Sequence, residues 1–457
     1  MLMWPTASTP VLLTMGLSAF LLAFVPVMRN GIQEATRFRF ISVLLMWLGY
    51  HLSPWLMYLS GSESADSLLV QDYIDRGLLM SSLAMFSILL GYDFYRPQRS
   101  SEHSSEVTWK QSLRRISQLQ VLLLTLASFA AFLILVGGPL EAWDSQLPRG
   151  YGQFEERDGL GKIKQMAVVL SVLLHLAAGG AAVLYMIHER ARPRKKIFGA
   201  VCAITSSFHW AWSFSRVAGV ILGFYAFIVV KLYGKRKLLT ACIALMLAIY
   251  FGLVGFLGRD ANPGIKNYLI AVIKPHLLLN TIETGQMPLP DQNFLNFMGA
   301  WTRKAEQREA DEPSLLPSML TFVWNLQPLP SEIAGLRPLG QNLSEVMGTV
   351  GSNTAITTPA LAEVYYLFGF GGAVVYVCIG WMFAWLDWVS RRSHILLGVT
   401  LTFCGISAAA VGLHSGIRAM TRPFVYAFAL IITARIVRSG VLPRSRVSRD
   451  FGRGQNQ

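Results

Sequence analysis

Charge is scarce in this chain. Asp, Glu, Lys and Arg make up 14% of its 457 residues, against about 25% in an ordinary soluble domain, so a water-soluble globule is excluded. Cysteine is scarce too. Cys202, Cys242, Cys378 and Cys404 each fall inside an apolar run, where they are expected to pack in a core rather than form a disulfide framework. Metal-site patterns are missing: there is no H-E-x-x-H, no C-x-x-C pair and no D-x-D on the side expected to face outward. The acidic runs "EERD" (155–158) and "EADE" (309–312) sit in polar loops and read as solvated faces. Neither a metal nor another cofactor is expected. The first apolar run lacks an A-x-A cleavage pattern, so an anchor is expected there and not a signal peptide. No repeat of 20–50 residues and no two-half symmetry is visible.

What the chain has in abundance is apolar length. Hydrophobic residues make up 53% of it, in runs long enough to cross roughly 30 Å of hydrocarbon. The pattern predicts an all-α polytopic membrane protein, a single integral membrane domain over 1–457. About eleven transmembrane helices are expected, near 10–28, 40–59, 77–95, 119–137, 165–187, 197–213, 217–233, 238–257, 364–388, 395–413 and 423–437.

The connections alternate in character. One set is short and basic: Arg29, Arg37 and Arg39; Arg96, Arg99, Lys110, Arg114 and Arg115; Arg190, Arg192, Arg194, Lys195 and Lys196; Lys235, Arg236 and Lys237; Arg391 and Arg392; then the tail 438–457. The positive-inside rule makes these cytoplasmic, with the N-terminus outside and the C-terminus inside. The net charge of +14 is thereby topological, with some attraction to anionic lipid heads, and no nucleic-acid partner is implied. The other set is expected outside: an acidic loop near 61–75, a loop near 138–164, and a large extracytoplasmic loop over 258–360. A loop of that length is functional or disordered. Its amphipathic stretches, such as "YLIAVIKPHLLLNTIETG", predict short helices at the outer leaflet.

Candidate chemistry lies on that outer side. Arg216 sits in the tight hairpin "SFSRVAGV", Arg259 opens the large loop, and Arg418 and Arg422 occupy "LHSGIRAMTRP" against the positive-inside trend. Ionisable groups at a membrane edge are functional candidates; the plainer alternative is a snorkelling or boundary charge. Guanidinium groups bind phosphate oxygens bidentately and can stabilise a departing pyrophosphate without a metal. His276 and His414 also face outward and are positioned to touch phosphate or a hydroxyl, whereas His175 and His209 read as packed core histidines.

Two stretches resemble a known family. "SFSRVAGVILGFY", a long outer loop and then "TPALAEVYYLFGFGGAVVYVCIGW" look like the Wzy-type polymerases of O-antigen and exopolysaccharide repeat units. Thr358, Pro359, Glu363, Tyr365, Phe368, Gly369 and Gly372 match that family's T-P-x-x-x-E-x-Y-x-x-F-G-x-x-G pattern. Arg337 and Gly348 fit its Arg-x10-Gly spacing, while Arg149 is followed by Gly159 and Gly161 and misses it. The resemblance implies a glycosyltransferase-C-like, metal-free enzyme in the bacterial cytoplasmic (inner) membrane, acting on its extracytoplasmic face. Its substrates would be polyprenyl-pyrophosphate-linked glycans, undecaprenyl pyrophosphate being the carrier expected in bacteria, as donor and acceptor. A chain-length regulator and a repeat-unit flippase are the implied partners. Glu363, Arg216 and Arg337 are then the expected catalytic residues. Arg259, His276, Tyr365, Tyr366, His414, Arg418 and Arg422 are expected to bind substrate. Glu363 fits two roles, general base or anchor of an arginine. Tyr365 and Tyr366 offer faces for sugar stacking, and Gly369, Gly371 and Gly372 are expected to allow close approach of a helix or prenyl chain. Two other functions remain open. An O-antigen ligase would depend on a loop histidine, for which His276 is the candidate, and a flippase or transporter would show repeat symmetry and broken helices.

Overall fold

The structure, a computed structural model, describes residues 9–52, 68–95, 116–144, 160–187, 193–213, 219–257, 263–276, 315–326, 360–393, 395–414 and 416–440. Among these residues there is helix and no strand. The helices are α1 (Thr9–Asn30), α2 (Phe38–Tyr50), α3 (Leu68–Phe94), α4 (Gln118–Val136), α5 (Pro139–Trp143), α6 (Leu160–Ile187), α7 (Pro193–Trp212) and α8 (Val220–Tyr233). They continue with α9 (Leu238–Leu257), α10 (Ile265–Ile273), α11 (Leu315–Asn325), α12 (Ala360–Phe368), α13 (Ala373–Arg392), α14 (Ile395–His414) and α15 (Ile417–Gly440). Among the described residues five helical stretches are long and apolar enough to cross a membrane: Thr9–Asn30, Asp75–Phe94, Gln118–Val136, Val220–Gly255 and Ala360–Arg392. The protein is therefore all-α and built to be embedded in a membrane.

Local chemistry sets the helix boundaries. α4 begins with a capping box: the Ser117 hydroxyl accepts from the Gln120 backbone N–H, and the Gln120 side chain accepts from the Ser117 N–H. It ends at Gly137, whose φ of 91° is left-handed. The expected single span over 364–388 is broken. A 3-10 turn, Gly369–Gly372, separates α12 from α13, and Gly369 takes φ 56° there, which a side chain would resist. α15 starts at Ile417, six residues before the expected span, and so takes Arg418 and Arg422 into a helix.

The helices pack in two groups. The core of one comes from α1, α2, α3, α12, α13, α14 and α15. The other draws on α4, α6, α7, α8, α9 and α10. α14 belongs to both. Ile395 and Val399 near its start enter the second core, while Leu401, Cys404 and Ala408 enter the first. Cys202 and Cys404 are buried as expected, but Cys242 and Cys378 are exposed; they lie on helix faces turned away from both cores. All four are free thiols.

α3 and α13 approach most closely. A Cβ at Gly91 would strike the Val377 carbonyl oxygen, and one at Gly380 would strike that of Ile88. Small residues let membrane helices meet backbone to backbone in this way. Gly380→Ala should therefore destabilise the detergent-solubilised protein by about 1–3 kcal/mol, the usual cost of overpacking. Gly371→Ala is the matched control, because a Cβ there meets nothing within 4 Å. Equal unfolding midpoints for the two variants would refute the close approach.

The basic segments converge at one end. Arg39 pairs with Asp93, Gln33 donates to the Lys231 carbonyl, and the Tyr233 hydroxyl donates to the Ile187 carbonyl. These contacts gather the α1–α2 turn and the ends of α3, α6 and α8. α13 joins them through Asp387, whose carboxylate accepts the Tyr92 hydroxyl at 2.5 Å and Arg391 Nε at 3.2 Å. The Lys231 ammonium of α8 and the Arg37 guanidinium lie within electrostatic reach of Asp387. Burial works against the charge on Arg37, but Asp387, Tyr92 and Glu34 outweigh it and raise its pKa. The Asp387 centre thus gathers α3, α13 and the start of α2 from one packing group, with Lys231 of α8 the group that reaches it from the other.

Candidate functional site

The opposite end of the bundle carries the sequence candidates that the structure describes. α12 is short and buried on nearly every side: Ala360, Leu361, Ala362, Glu363, Val364, Tyr365 and Leu367 are all inaccessible. A carboxylate in such a helix needs strong partners, because burying an unpaired charge costs several kcal/mol. Glu363 is 3% exposed, and its Oε2 accepts the Ile417 backbone N–H at 2.7 Å. Ile417 is the first residue of α15, where backbone N–H groups have no partner within the helix and the helix dipole is positive. Glu363 therefore acts as a cap supplied from another helix, 54 residues away in sequence.

Gly416 makes that contact possible. A Cβ at this position would strike the Glu363 carboxylate. The apolar ring of Phe322 on α11 packs against Phe368, with centroids 5.3 Å apart, and closes α12 from another side. Tyr376 on α13 is buried within electrostatic reach of both Tyr50 and Glu363. Tyr376 is thus a buried phenol within electrostatic reach of the carboxylate, and sequence patterns did not single it out.

Two of the expected arginines meet this helix start. Arg418 is the second residue of α15 and is 4% exposed. Arg422 lies one turn further along, half-buried, with Nε unpartnered among the described residues. The α12–α15 packing sets Glu363 against the helix start that carries Arg418, with Arg422 one turn further along. Tyr365 points into the core, its ring edge-on to Phe370 at 5.2 Å. Tyr366 is half-buried against the same core. Of the three glycines, Gly369 serves the turn, and Gly372 lies where a Cβ would meet Val364 at 2.5 Å. Gly371 faces open space, with no protein atom within 4 Å of where a Cβ would stand.

His276 is exposed just past α10, at the same end of the molecule but in the second packing group. There Lys266 of α10 pairs with Asp144 after α5, and this hydrogen bond draws the Asp144 pKa down. The Trp212 indole donates to the Glu141 carbonyl at 2.9 Å, tying α7 to α5. His175 is buried and His209 half-buried, with rings 5.2 Å apart between α6 and α7 and Phe132 edge-on to both. Arg216, Arg259 and Arg337, together with Arg149 and Gly348, lie outside the described residues, as does the side chain of His414.

Among the described residues no group of three or more His, Cys, Asp or Glu side chains is placed to hold a metal ion. The described part of the site offers two guanidinium groups, which suit anions, beside a helix N-terminus already capped by the Glu363 carboxylate. Its sequence-legible signals were Glu363, a carboxylate at the head of an apolar run, and Arg418 and Arg422 in an outer hairpin; Gly416, Tyr50 and Tyr376 carried none. No protein-family model, curated protein or solved structure matches the chain.

Proposed function

We propose that the protein polymerises polyprenyl-pyrophosphate-linked oligosaccharide repeat units on the extracytoplasmic face of a bacterial cytoplasmic membrane. On this reading about eleven helices span the membrane. The end carrying Arg37, Lys231 and Arg391 faces the cytoplasm, and the Glu363 end faces out. The observation that carries the proposal is the meeting of Glu363 with the first turn of α15, beside Arg418 and Arg422. The motif that resembles repeat-unit polymerases and the outer hairpin arginines thereby belong to one site.

The chemistry is a glycosyl transfer. The bond from the donor's anomeric carbon to its pyrophosphate breaks, and a bond from that carbon to an acceptor hydroxyl forms. The hydroxyl proton passes to a base, and the polyprenyl pyrophosphate leaves with the bonding electrons. Arg418 and Arg422 stabilise the growing negative charge. A chain-length regulator and a repeat-unit flippase are the partners this role implies.

The purified protein, given a labelled lipid-linked repeat unit, should produce a ladder of longer polyprenyl-linked glycans on a gel. Arg418→Lys should slow the ladder about tenfold, because an ammonium cannot make the bidentate contact. A single transfer to a lipid-core sugar, with no ladder, would establish a ligase instead. Movement of the substrate across vesicles without any new glycosidic bond would establish a transporter.

A further inference from the structure

A cavity lies on the seam between the two packing groups. It has a volume of about 100 Å³, and every residue that lines it belongs to a described helix. Leu124 of α4, Leu176 and Ala177 of α6, and Phe224 of α8 line it from the second group, and Phe403 and Cys404 of α14 complete the wall. This is the stretch where α14 passes from one core, which Val399 enters, to the other, which Cys404 enters. The Phe224 and Phe403 rings stand edge-on with centroids 6.0 Å apart and stiffen one wall.

The space cannot close by collapse. One turn along α6 from Ala177, a Cβ at Gly180 would lie 3.2 Å from Val399 Cγ1, and one at Gly179 would strike the Ile221 side chain. α6 is thus already pressed against α14 and α8, and the cavity persists beside those contacts. An empty cavity forfeits the packing contacts of its lining. Water suits it poorly: a buried water needs two to four polar partners, and among the lining side chains only the Thr400 hydroxyl and the Cys404 thiol are polar.

Hydrocarbon suits it well. Leu124, Leu176 and Phe403 are each partly exposed, so the wall is not sealed. Leu123 and Leu126, beside Leu124 on α4, are 57% and 54% exposed and continue the apolar surface outward. α14 starts just after Arg391 and Arg392, and α4 starts where Gln118 accepts the Tyr185 hydroxyl near the end of α6, so both helices begin at the basic end. Leu124 and Phe403 lie roughly 9 and 12 Å along them, within the ~15 Å of hydrocarbon that one leaflet supplies. At that depth the surrounding material is acyl chain.

We propose that the cavity binds one acyl chain of a phospholipid from the leaflet at the basic end, and that this chain completes the packing between the two groups. The site is independent of the glycosyl-transfer reading and requires only that the bundle be embedded in a membrane.

The test places the full-length protein in bilayers of phosphatidylglycerol that carries a diazirine at mid-chain. Photolysis should label α14 around Phe403. It should also label α9 around Met246, which is 69% exposed and reports ordinary lipid contact. Ala177→Leu adds three carbons where the chain would lie, and should cut the α14 label about tenfold while the α9 label stays. Ala177→Val fills less of the space and should give a smaller loss. In detergent, added phosphatidylglycerol should raise the unfolding midpoint of the wild type, as any ligand of the folded state does, and raise that of the filled variants less. Absence of the α14 label in the wild type overturns the proposal. So does an α14 label that persists undiminished in either folded variant. Suppression of the α14 label by an equal amount of undecaprenyl pyrophosphate would assign the cavity to an isoprenoid chain and overturn it equally.

Discussion

Asp387→Ala is expected to destabilise the protein by about 3–5 kcal/mol, the range for stripping one partner from a buried ion pair. Asp387 is buried and accepts the Tyr92 hydroxyl and the Arg391 guanidinium. Lys231 and Arg37 lie in its field. Removing the carboxylate leaves the Arg37, Lys231 and Arg391 side chains facing one another at low dielectric, with Glu34 still beside Arg37. The loss should appear in unfolding of the detergent-solubilised protein as a markedly lower midpoint. Asp387→Asn keeps the shape and an acceptor for Tyr92 but not the charge, and should fall between alanine and wild type. Combining Asp387→Asn with Arg391→Gln should recover part of the loss, because each change removes a charge the other would have left unpaired. A wild-type midpoint for Asp387→Ala would show that the centre contributes nothing to holding α8 against α13.

Glu363→Ala should abolish at least about 99% of polymer formation and lower stability by about 1–3 kcal/mol, the cost of leaving a buried donor unsatisfied. The Ile417 N–H would lose its acceptor, and the start of α15, with Arg418 and Arg422, would lose its anchor. The two roles open for this carboxylate part at glutamine. Glu363→Gln retains a carbonyl oxygen for Ile417 but cannot take a proton. Since Glu363 is sealed from solvent and already capping a helix, we expect it to position the arginines, so the glutamine variant should turn over within about tenfold of wild type. Loss of a general base costs about a hundredfold or more. A drop of that size in Glu363→Gln, with normal stability and normal binding of the lipid-linked substrate, would return the residue to the role of base.

Parts of this site were legible and parts were not, for a physical reason. Glu363 stands out in the sequence because a carboxylate in an apolar run is costly and so has to be used. Arg418 and Arg422 stand out because they break the charge rule of outer hairpins. Gly416 does not stand out, because glycine is common near helix starts; only the Glu363 carboxylate beside it makes the missing side chain necessary. Asp387 was equally costly and was passed over, since it lies four residues before the basic pair Arg391–Arg392, at the end of its apolar run. Its partner Tyr92 is 295 residues away. The sugar-facing role expected of Tyr365 met a buried ring instead, because the 3-10 turn at Gly369 folds Phe370 against it.

Hydropathy and charge, read along the chain, were enough to determine an all-α membrane protein and the residues where charge is concentrated. Both are local properties, governed by what each segment can bury in lipid, and need no knowledge of neighbours. The tertiary structure decided the rest: that α12 and α13 are separate helices, that the Asp387 centre clasps two packing groups, and that Glu363 is directed at the first N–H of α15. These depend on the register between helices distant in sequence. That register is set by close packing at Gly91, Gly380 and Gly416, and the consequences of a missing Cβ appear only when the opposing backbone or carboxylate is in place.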